Sequence, residues 1–274
     1  MIDVHTHLHP PRLFAAIRRW FAERSPWEIQ HHPTEPRAVA QAMRDAGVET
    51  FVFCSYAHKP GISRELNAWL AQTARDLGAG AFALATVHLD DPDPAGDMRE
   101  ALRDGCIGLK VHENVQRLHL DDPRFAPVLD AVAAAEGFVL VHVGAIPWSD
   151  DTHDGPARIA RVLAAHPRLR IVVAHFGVPD SLRYIEMAAQ EPRLFLDTTM
   201  VFARESPMHV FFPHDTIERA AGQIVYGTDW PNIPHAYDSE LRALEAMELS
   251  PGALDAITRE NARRLAPALA RSAP

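Results

Sequence analysis

The segment Ile2-Asp3-Val4-His5-Thr6-His7 decides how the rest of the chain is interpreted. It has the composition of a β-strand, in which alternate side chains leave the same face, so His5 and His7 point the same way. Histidine is the commonest metal ligand, and Zn²⁺ needs three or four converging ligands. An isolated H-x-H pair could equally be a surface feature. The hypothesis of a metal site therefore requires further ligands from other strands.

Beyond this segment, apolar strand-like runs alternate with helix-like stretches along the chain. The further predicted strands are residues 50–55, 81–87, 107–112, 138–142, 169–175, 193–197 and 223–227. About eight strands separated by helices are typical of an α/β fold, the (β/α)₈ or TIM barrel. We find no linker, so residues 1–274 are expected to form one domain. An open doubly wound sheet is the alternative, although the sequence lacks the glycine-rich nucleotide-binding motifs common in such sheets.

Composition narrows the classes of partner. The 274 residues carry a formal net charge of −9, which argues against a nucleic-acid partner or an anionic membrane and favours a small-molecule substrate. No apolar run approaches the roughly 20 residues of a membrane span, and histidines occupy the place of a signal peptide's apolar core. The 2 cysteines, Cys54 and Cys106, lie in the predicted core, as reduced thiols would, so a cytoplasmic location is predicted.

Metal-compatible residues recur at the predicted strand ends, where the catalytic groups of a TIM barrel gather. In chain order they are His5, His7, Lys110, His142, His175 and Asp229. Each alone has an ordinary interpretation: a hydrogen-bonded core histidine, an ion-paired lysine, or an aspartate in a turn. Several strand ends that all carry such groups favour a shared metal site at the C-terminal ends of the strands.

These motifs resemble those of the amidohydrolase superfamily, specifically its amidohydrolase-related (type 2) branch. The matching segments run from end to end of the chain and are residues 2–7, 108–112, 139–144, 171–177, 194–198, 226–231 and 260–265. The resemblance implies a (β/α)₈ barrel and a divalent metal, usually zinc. It also implies hydrolysis at carbon or phosphorus in most members, with some decarboxylases, hydratases and isomerases.

The resemblance also implies the metal ligands. They are His5, His7, Lys110, His142, His175 and Asp229. In members with two metals, a lysine at the place of Lys110 is carbamylated and bridges the ions, with His142 and His175 on the second ion. In members with one metal this lysine is commonly absent, and His175 then acts from outside the ligand set. Lys110 therefore favours two metals, although an unmodified Lys110 could instead bind a substrate carboxylate.

The expected reaction is hydrolysis of a small-molecule amide, lactone or ester by a water that the metal activates. Asp229 is expected to take the proton of this water and return it to the leaving group, and His175 is the other candidate catalytic residue.

Two other reactions are weighed against this one. The main alternative is a mononuclear zinc decarboxylase or hydratase acting on an aromatic or unsaturated carboxylic acid, which a free Lys110 would support. A TatD-like metal-dependent nuclease is disfavoured by the acidic charge and by a lysine where such enzymes are expected to have a glutamate.

Substrate specificity is expected to depend on three long loops, residues 10–33, 145–155 and 199–213. His112, Trp148 and Trp230 lie beside predicted strand ends and are candidate substrate contacts. The first loop should contain a short helix or act as a lid. The third is apolar and should form a substrate pocket or, as we favour, a subunit interface of a homo-oligomer. Asp215 and Glu218 are expected to form a capping box.

Overall fold

A computed structural model describes residues 1–144 and 154–271 of the chain. The sequence alternates between strands and helices as predicted. The strands are β1 (Ile2–His7), β2 (Thr50–Cys54), β3 (Ala81–Ala83), β4 (Gly108–His112), β5 (Phe138–His142), β6 (Arg170–Val173), β7 (Leu194–Asp197) and β8 (Ile224–Val225).

The strands close into a barrel. β1 to β3 form one parallel sheet and β4 to β8 form another, both in chain order. Parallel bridges between Ala85 and Leu109 and between Thr6 and Trp230 join the two sheets. The backbone N–H of Val4 also donates to the carbonyl of Tyr226 at 2.9 Å. The predicted TIM barrel is confirmed, and the doubly wound alternative is wrong.

Helices of the described residues surround this barrel. They are α1 (Pro11–Arg24), α2 (Pro36–Asp45), α3 (Ser63–Leu77), α4 (Pro94–Arg103), α5 (Glu113–Gln116), α6 (Ala126–Ala134), α7 (Gly155–Ala165), α8 (Ser181–Ala188), α9 (His214–Ala220), α10 (Ser239–Glu245), α11 (Pro251–Asp255), α12 (Asn261–Arg263) and α13 (Pro267–Ala270). Within the ranges that the structure describes, no helix has the length and apolar character needed to cross a membrane.

Apolar side chains form two layers. One layer packs the strands against the helices. The other fills the lower barrel interior with strand residues such as Val4, Val52 and Leu140, and the C-terminal residues Leu265 and Leu269 close it from below. Burial of both layers stabilises the barrel by roughly 25 cal/mol per Å² of apolar surface removed from water. This packed apolar interior therefore holds the polar strand ends in fixed positions.

Strand β1 contains an irregularity that aims its histidines. Its pairing with β2 shifts between Asp3 and Thr6, which lie opposite Phe51 and Phe53, so β1 has one extra residue there. A bulge of this kind redirects the side chains that follow it. Val4 packs inside the barrel, and the bulge allows His5, the very next residue, to face inward as well.

Several local predictions were wrong. The strands predicted at residues 81–87 and 223–227 are shorter and span Ala81–Ala83 and Ile224–Val225. The strand predicted to extend to His175 ends at Val173, because His175 and Phe176 adopt left-handed backbone angles with φ of 54° and 53°. Asp215 does not cap α9, which begins one residue earlier and has no side-chain cap. Glu218 instead accepts hydrogen bonds from the backbone N–H and the hydroxyl of Ser250.

Candidate metal centre

Four of the predicted ligands meet at one point at the C-terminal end of the barrel. Lys110 Nζ lies 2.8 Å from His5 Nε2. Asp229 Oδ1 lies 3.3 Å from the same nitrogen and 2.6 Å from His7 Nε2. β1, β4 and the turn after β8 supply these side chains, which are far apart in sequence and adjacent in the barrel.

The two remaining predicted ligands complete the cluster. The rings of His142 and His175 lie 4.6 Å apart, and His175 lies 5.5 Å from the His5 ring. Both residues are buried. The structure thus brings together all six strand-end residues, and we call their side chains the inner wall of the site.

Strained backbone places two of these residues. Asp229 has φ of 65° and His175 has φ of 54°, a left-handed conformation that costs about 1–2 kcal/mol for a residue with a side chain. Gly227 is required nearby, because a Cβ there would lie 2.8 Å from Thr199 Oγ1 and 3.0 Å from His5 Cβ. Such strain concentrates where the surrounding fold fixes a functional side chain.

Asp197 orients His5, a role that sequence analysis did not assign. Its Oδ2 lies 2.8 Å from His5 Nδ1, and its Oδ1 accepts the backbone N–H groups of His175 and Thr199. With Nδ1 engaged, Nε2 of His5 faces the inner wall. A carboxylate behind the imidazole is the usual arrangement of metal-binding histidines. The available signal was an acidic residue ending the apolar run Leu194–Asp197.

Cys54 contacts the ring of His7, as Asp197 contacts the ring of His5. Its Sγ lies 3.6 Å from His7 Nδ1 and donates to the carbonyl of Thr6 at 3.3 Å. Ligand atoms of His5, His7 and Cys54 all lie within 4.8 Å of one another, so these three could hold an ion. We instead place the ion at the other ring nitrogen of His7, Nε2. Asp229 Oδ1 lies near this nitrogen and near His5 Nε2, and His7 lines the cavity.

The protonation states of three of the four inner-wall histidines fit a divalent cation; His7 is the exception, because burial opposes its protonation but Cys54 and Asp229 raise its pKa to about 9. Burial lowers the pKa values of His5, His142 and His175, and metal binding requires neutral imidazole. Burial opposes ionisation of Asp229, but His7 and His5 hold the pKa of its carboxyl below the usual value. His175 Nδ1 is buried without a hydrogen-bond partner, and such a nitrogen normally has one. A metal ion would satisfy it.

A cavity of about 550 Å³ opens from the inner wall, a size suited to a small molecule. Part of its lining is apolar, and we call this part the outer wall. It comprises Leu13, Ile17, Trp20, Phe21 and Trp27. The loop expected to hold a helix or a lid therefore forms the helix α1 and covers the site.

Tyr56 also lines the cavity. Its ring packs edge-on against His112 and His7, with centroids 5.3 and 5.9 Å away. Burial raises the pKa of Tyr56, so the hydroxyl remains a donor at neutral pH. Sequence analysis missed Tyr56, and its position just past the end of β2 was the only signal.

The candidate substrate contacts have different outcomes. His112 lines the cavity and stacks on His142 at 4.1 Å. Trp230 is not among the residues that line the cavity; it is buried, with its ring 4.3 Å from His32 and 5.5 Å from Tyr237, and its role as a substrate contact stays a prediction. Trp148 lies outside the described residues.

The apolar loop 199–213 packs mainly against the chain itself. Phe202 and Phe212 are buried and contact Phe176, whereas Phe211 is 80% exposed. Met208 lines the cavity. The loop thus contributes to the pocket, and a subunit interface stays a prediction.

The comparisons with known proteins agree with this architecture. The amidohydrolase family model matches residues 2–267. No curated protein sequence matches the chain. An uncharacterised TIM-barrel protein from Bordetella bronchiseptica superposes with a TM-score of 0.76 at 22% identity, covering 99% of this chain and 100% of that one.

Two named decarboxylases have the same fold. The 2,6-dihydroxybenzoate decarboxylase from Rhizobium has a TM-score of 0.69 at 19% identity, with 96% of this chain and 97% of that one covered. The 5-carboxyvanillate decarboxylase from Novosphingobium aromaticivorans, complexed with manganese and a nitrobenzoic acid, has a TM-score of 0.71 at 16% identity, with 96% and 95% covered. Because the family model spans nearly the whole sequence, this chain belongs to the amidohydrolase family and is a metal-dependent enzyme of that family.

Proposed function

We propose that the protein is a metal-dependent hydrolase that cleaves a small-molecule amide, lactone or ester. The observation that carries the proposal is the position of Lys110, whose Nζ lies 2.8 Å from His5 Nε2. An ammonium group there would repel a cation bound to that nitrogen. A carbamate is instead an anionic ligand, and it forms when the neutral amine adds to CO₂ and releases a proton.

The donor set provides for two ions. His5, His7 and Asp229 would hold one ion, His142 and His175 would hold the other, and carbamylated Lys110 would contact both. Imidazole and carboxylate donors suit zinc, which we propose as the metal. When bound, the metal lowers the pKa of a water and polarises a carbonyl oxygen.

The chain itself supplies proton transfer and substrate orientation. Oδ1 of Asp229 faces His5 and His7, and the residue lines the cavity. We propose that Oδ2 takes the proton of the attacking water and delivers it to the leaving group. The Tyr56 hydroxyl can donate to the developing oxyanion from the side of the cavity.

Metal analysis and substrate screening test the proposal together. Purified protein would be analysed for metal content and for a carbamate by NMR after exposure to ¹³C-bicarbonate, then assayed on lactones, amides and esters. We expect about two metals per chain, a carbamate signal that is lost in Lys110→Ala, and hydrolysis of a substrate in the screen. One metal without a carbamate, combined with release of CO₂ from an aromatic acid, would overturn it.

Decarboxylation of an aromatic acid is the second candidate. Trp20, Phe21 and Trp27 give the outer wall three aromatic side chains, which suits a planar substrate. Two proteins of the same fold are named as decarboxylases of aromatic acids. In this reaction the substrate carboxylate would lie at the inner wall, so the two candidates differ in where the cavity holds a carboxylate.

A further inference from the structure

One basic side chain at the cavity belongs neither to the inner wall nor to the interactions that stabilise the fold. Arg117 follows α5, lines the cavity and is exposed. Within residues 1–144 and 154–271, its guanidinium makes no hydrogen bond or ion pair. The other arginine of this region, Arg124, is paired with Asp90 and Asp122 at 2.9 and 2.7 Å. Arg117 thus adds an unpaired basic residue to the lining of the cavity, and it also borders a neighbouring pocket with His88 and Arg124.

The backbone at Arg117 indicates that the side chain is not there for stability. Its φ of 54° and ψ of 47° place it in the left-handed conformation at the end of α5. Glycine is the favoured residue at such a position, because any side chain there is strained. Glu136 and Glu248 adopt the same conformation, so the backbone by itself assigns no contact to the Arg117 side chain.

The charge of the cavity favours an anion. Among the described residues that line it, Asp229 is the one carboxylate; Arg117 is basic, and Lys110 is basic only when it is not carbamylated. Asp229 is already engaged with His5 and His7. An anionic group that enters the cavity therefore meets no unpaired carboxylate in this lining, although the whole chain carries a formal net charge of −9.

The apolar residues of the cavity define the rest of the ligand. The outer wall suits an apolar or aromatic body, and Val115 continues this surface next to Arg117. A guanidinium binds a carboxylate through two parallel N–H···O bonds, which fixes orientation as well as affinity. Arg117 and the inner wall lie in one cavity, so one molecule can contact both.

We propose that Arg117 binds a carboxylate of the substrate that does not react, while the bond to be cleaved lies at the inner wall. The substrate class is then an apolar or aromatic lactone, amide or ester that carries a free carboxylate. This inference rests on the proposed hydrolase function and identifies the substrate class of the same site. It assigns Arg117 as a specificity-determining residue.

Binding of simple probes tests the inference separately from catalysis. Benzoate and its neutral analogue benzamide would be titrated into the metal-loaded protein, with binding followed by tryptophan fluorescence, since Trp20 and Trp27 line the cavity, and by ligand-observed NMR. We expect Arg117→Gln to weaken benzoate binding by about tenfold or more, the effect of losing charge-assisted hydrogen bonds, and to leave benzamide binding unchanged. Arg124→Gln is the matched control and should behave as the wild type.

Two further measurements complete the test. Arg117→Gly should lose benzoate binding without a fall in melting temperature, because glycine relieves the left-handed strain. Benzoate binding should also survive metal removal by a chelator, with the fold checked by circular dichroism. The inference fails if wild-type protein does not bind benzoate, if Arg117→Gln binds it normally, or if chelation abolishes binding, which would place the carboxylate at the metal. Failure of the hydrolysis screen would refute the proposed function while leaving these binding results intact.

Discussion

The two walls of the cavity differ in origin and in what they can determine. The inner wall comes from strand ends that the barrel fixes against one another, and its groups are buried and polar. The outer wall comes from α1 and the segment after it, and its residues are apolar and mostly half-buried. Rigid strands suit the precise geometry of a metal centre, whereas a covering helix can change residue by residue without disturbing that centre. We therefore expect the inner wall to determine the reaction and the outer wall to determine the substrate.

Asp229→Asn should produce the largest effect, because it removes the proton acceptor from the inner wall. We expect kcat to fall by about 10²–10⁴-fold, with a much smaller change in KM. Steady-state kinetics on a substrate from the screen would measure both. Metal content must be determined in parallel, because the side chain is also a proposed ligand. Unchanged turnover in a fully loaded variant would contradict the mechanism.

Asp197→Ala should weaken metal binding without touching the metal directly. Loss of the carboxylate behind His5 leaves that imidazole free to rotate, and loss of an orienting partner typically lowers metal affinity by about 10–100-fold. Competition with a chelating dye would measure the change. Asp197→Asn, which retains an acceptor, should lose less, and Asp215→Ala on the exposed surface of α9 is the control. Equal metal affinity in Asp197→Ala and Asp215→Ala would show that Asp197 does not orient the site.

Much of the inner wall was predictable from the sequence. Side chains alternate along a strand, and the catalytic groups of a TIM barrel gather at the strand ends, so short segments are enough to apply both rules. Counting every second residue from the end of an apolar run predicts that Lys110 and His142 face the barrel interior, and both are buried and line the cavity. The bulge in β1 was not predictable, since no residue type in Asp3–Thr6 signals it. The left-handed angles at His175 and Asp229 also had no local signal, because non-glycine residues adopt them only when tertiary contacts impose them.

The outer wall was only partly predictable. A helix near Pro11 could be expected from its spacing, but the packing of that helix over the inner wall depends on contacts distant in sequence. The surroundings of Trp230 were unpredictable for the same reason: it is adjacent in sequence to Asp229, yet the left-handed turn at Asp229 is followed by burial of the indole against His32. Adjacency in sequence therefore does not predict exposure to the cavity.

Trp20→Ala tests the outer wall and should have an intermediate effect. Removing the indole from the cavity should raise KM for an apolar substrate by about tenfold, as expected for the loss of 1–2 kcal/mol of apolar contact. Metal content and kcat should stay near those of the wild type. Arg19→Ala, an exposed neighbour on α1, is the matched control. A loss of metal in Trp20→Ala would show that the two walls are not independent.

Glu240→Gln should have the smallest effect, because Glu240 only supports the loop that carries Met208. Glu240 is fully buried, and its Oε2 accepts the backbone N–H groups of Phe202 and Ala203 at 3.0 and 3.3 Å. Its Oε1 lies 3.8 Å from His235 Nε2 and has no hydrogen-bond partner. Burial raises the pKa of Glu240 to about 8. The folded protein therefore binds this proton more tightly than the unfolded chain does.

The sign of the pH dependence follows from that difference. The stabilising contribution of a proton on Glu240 is complete below its unfolded pKa of about 4.5 and is lost as the pH rises towards 8. Glutamine keeps an acceptor for the loop and does not titrate. We expect the stability of Glu240→Gln relative to wild type to increase by about 1–3 kcal/mol between pH 5 and pH 8, measured by urea denaturation at fixed metal concentration. Glu245→Gln, on the exposed side of the same helix, should show no such trend, and a parallel response of the two variants would mean that Glu240 is ionised in the folded protein. Turnover by the inner wall should be unchanged at pH 5, because Glu240 supports only the loop that borders the cavity.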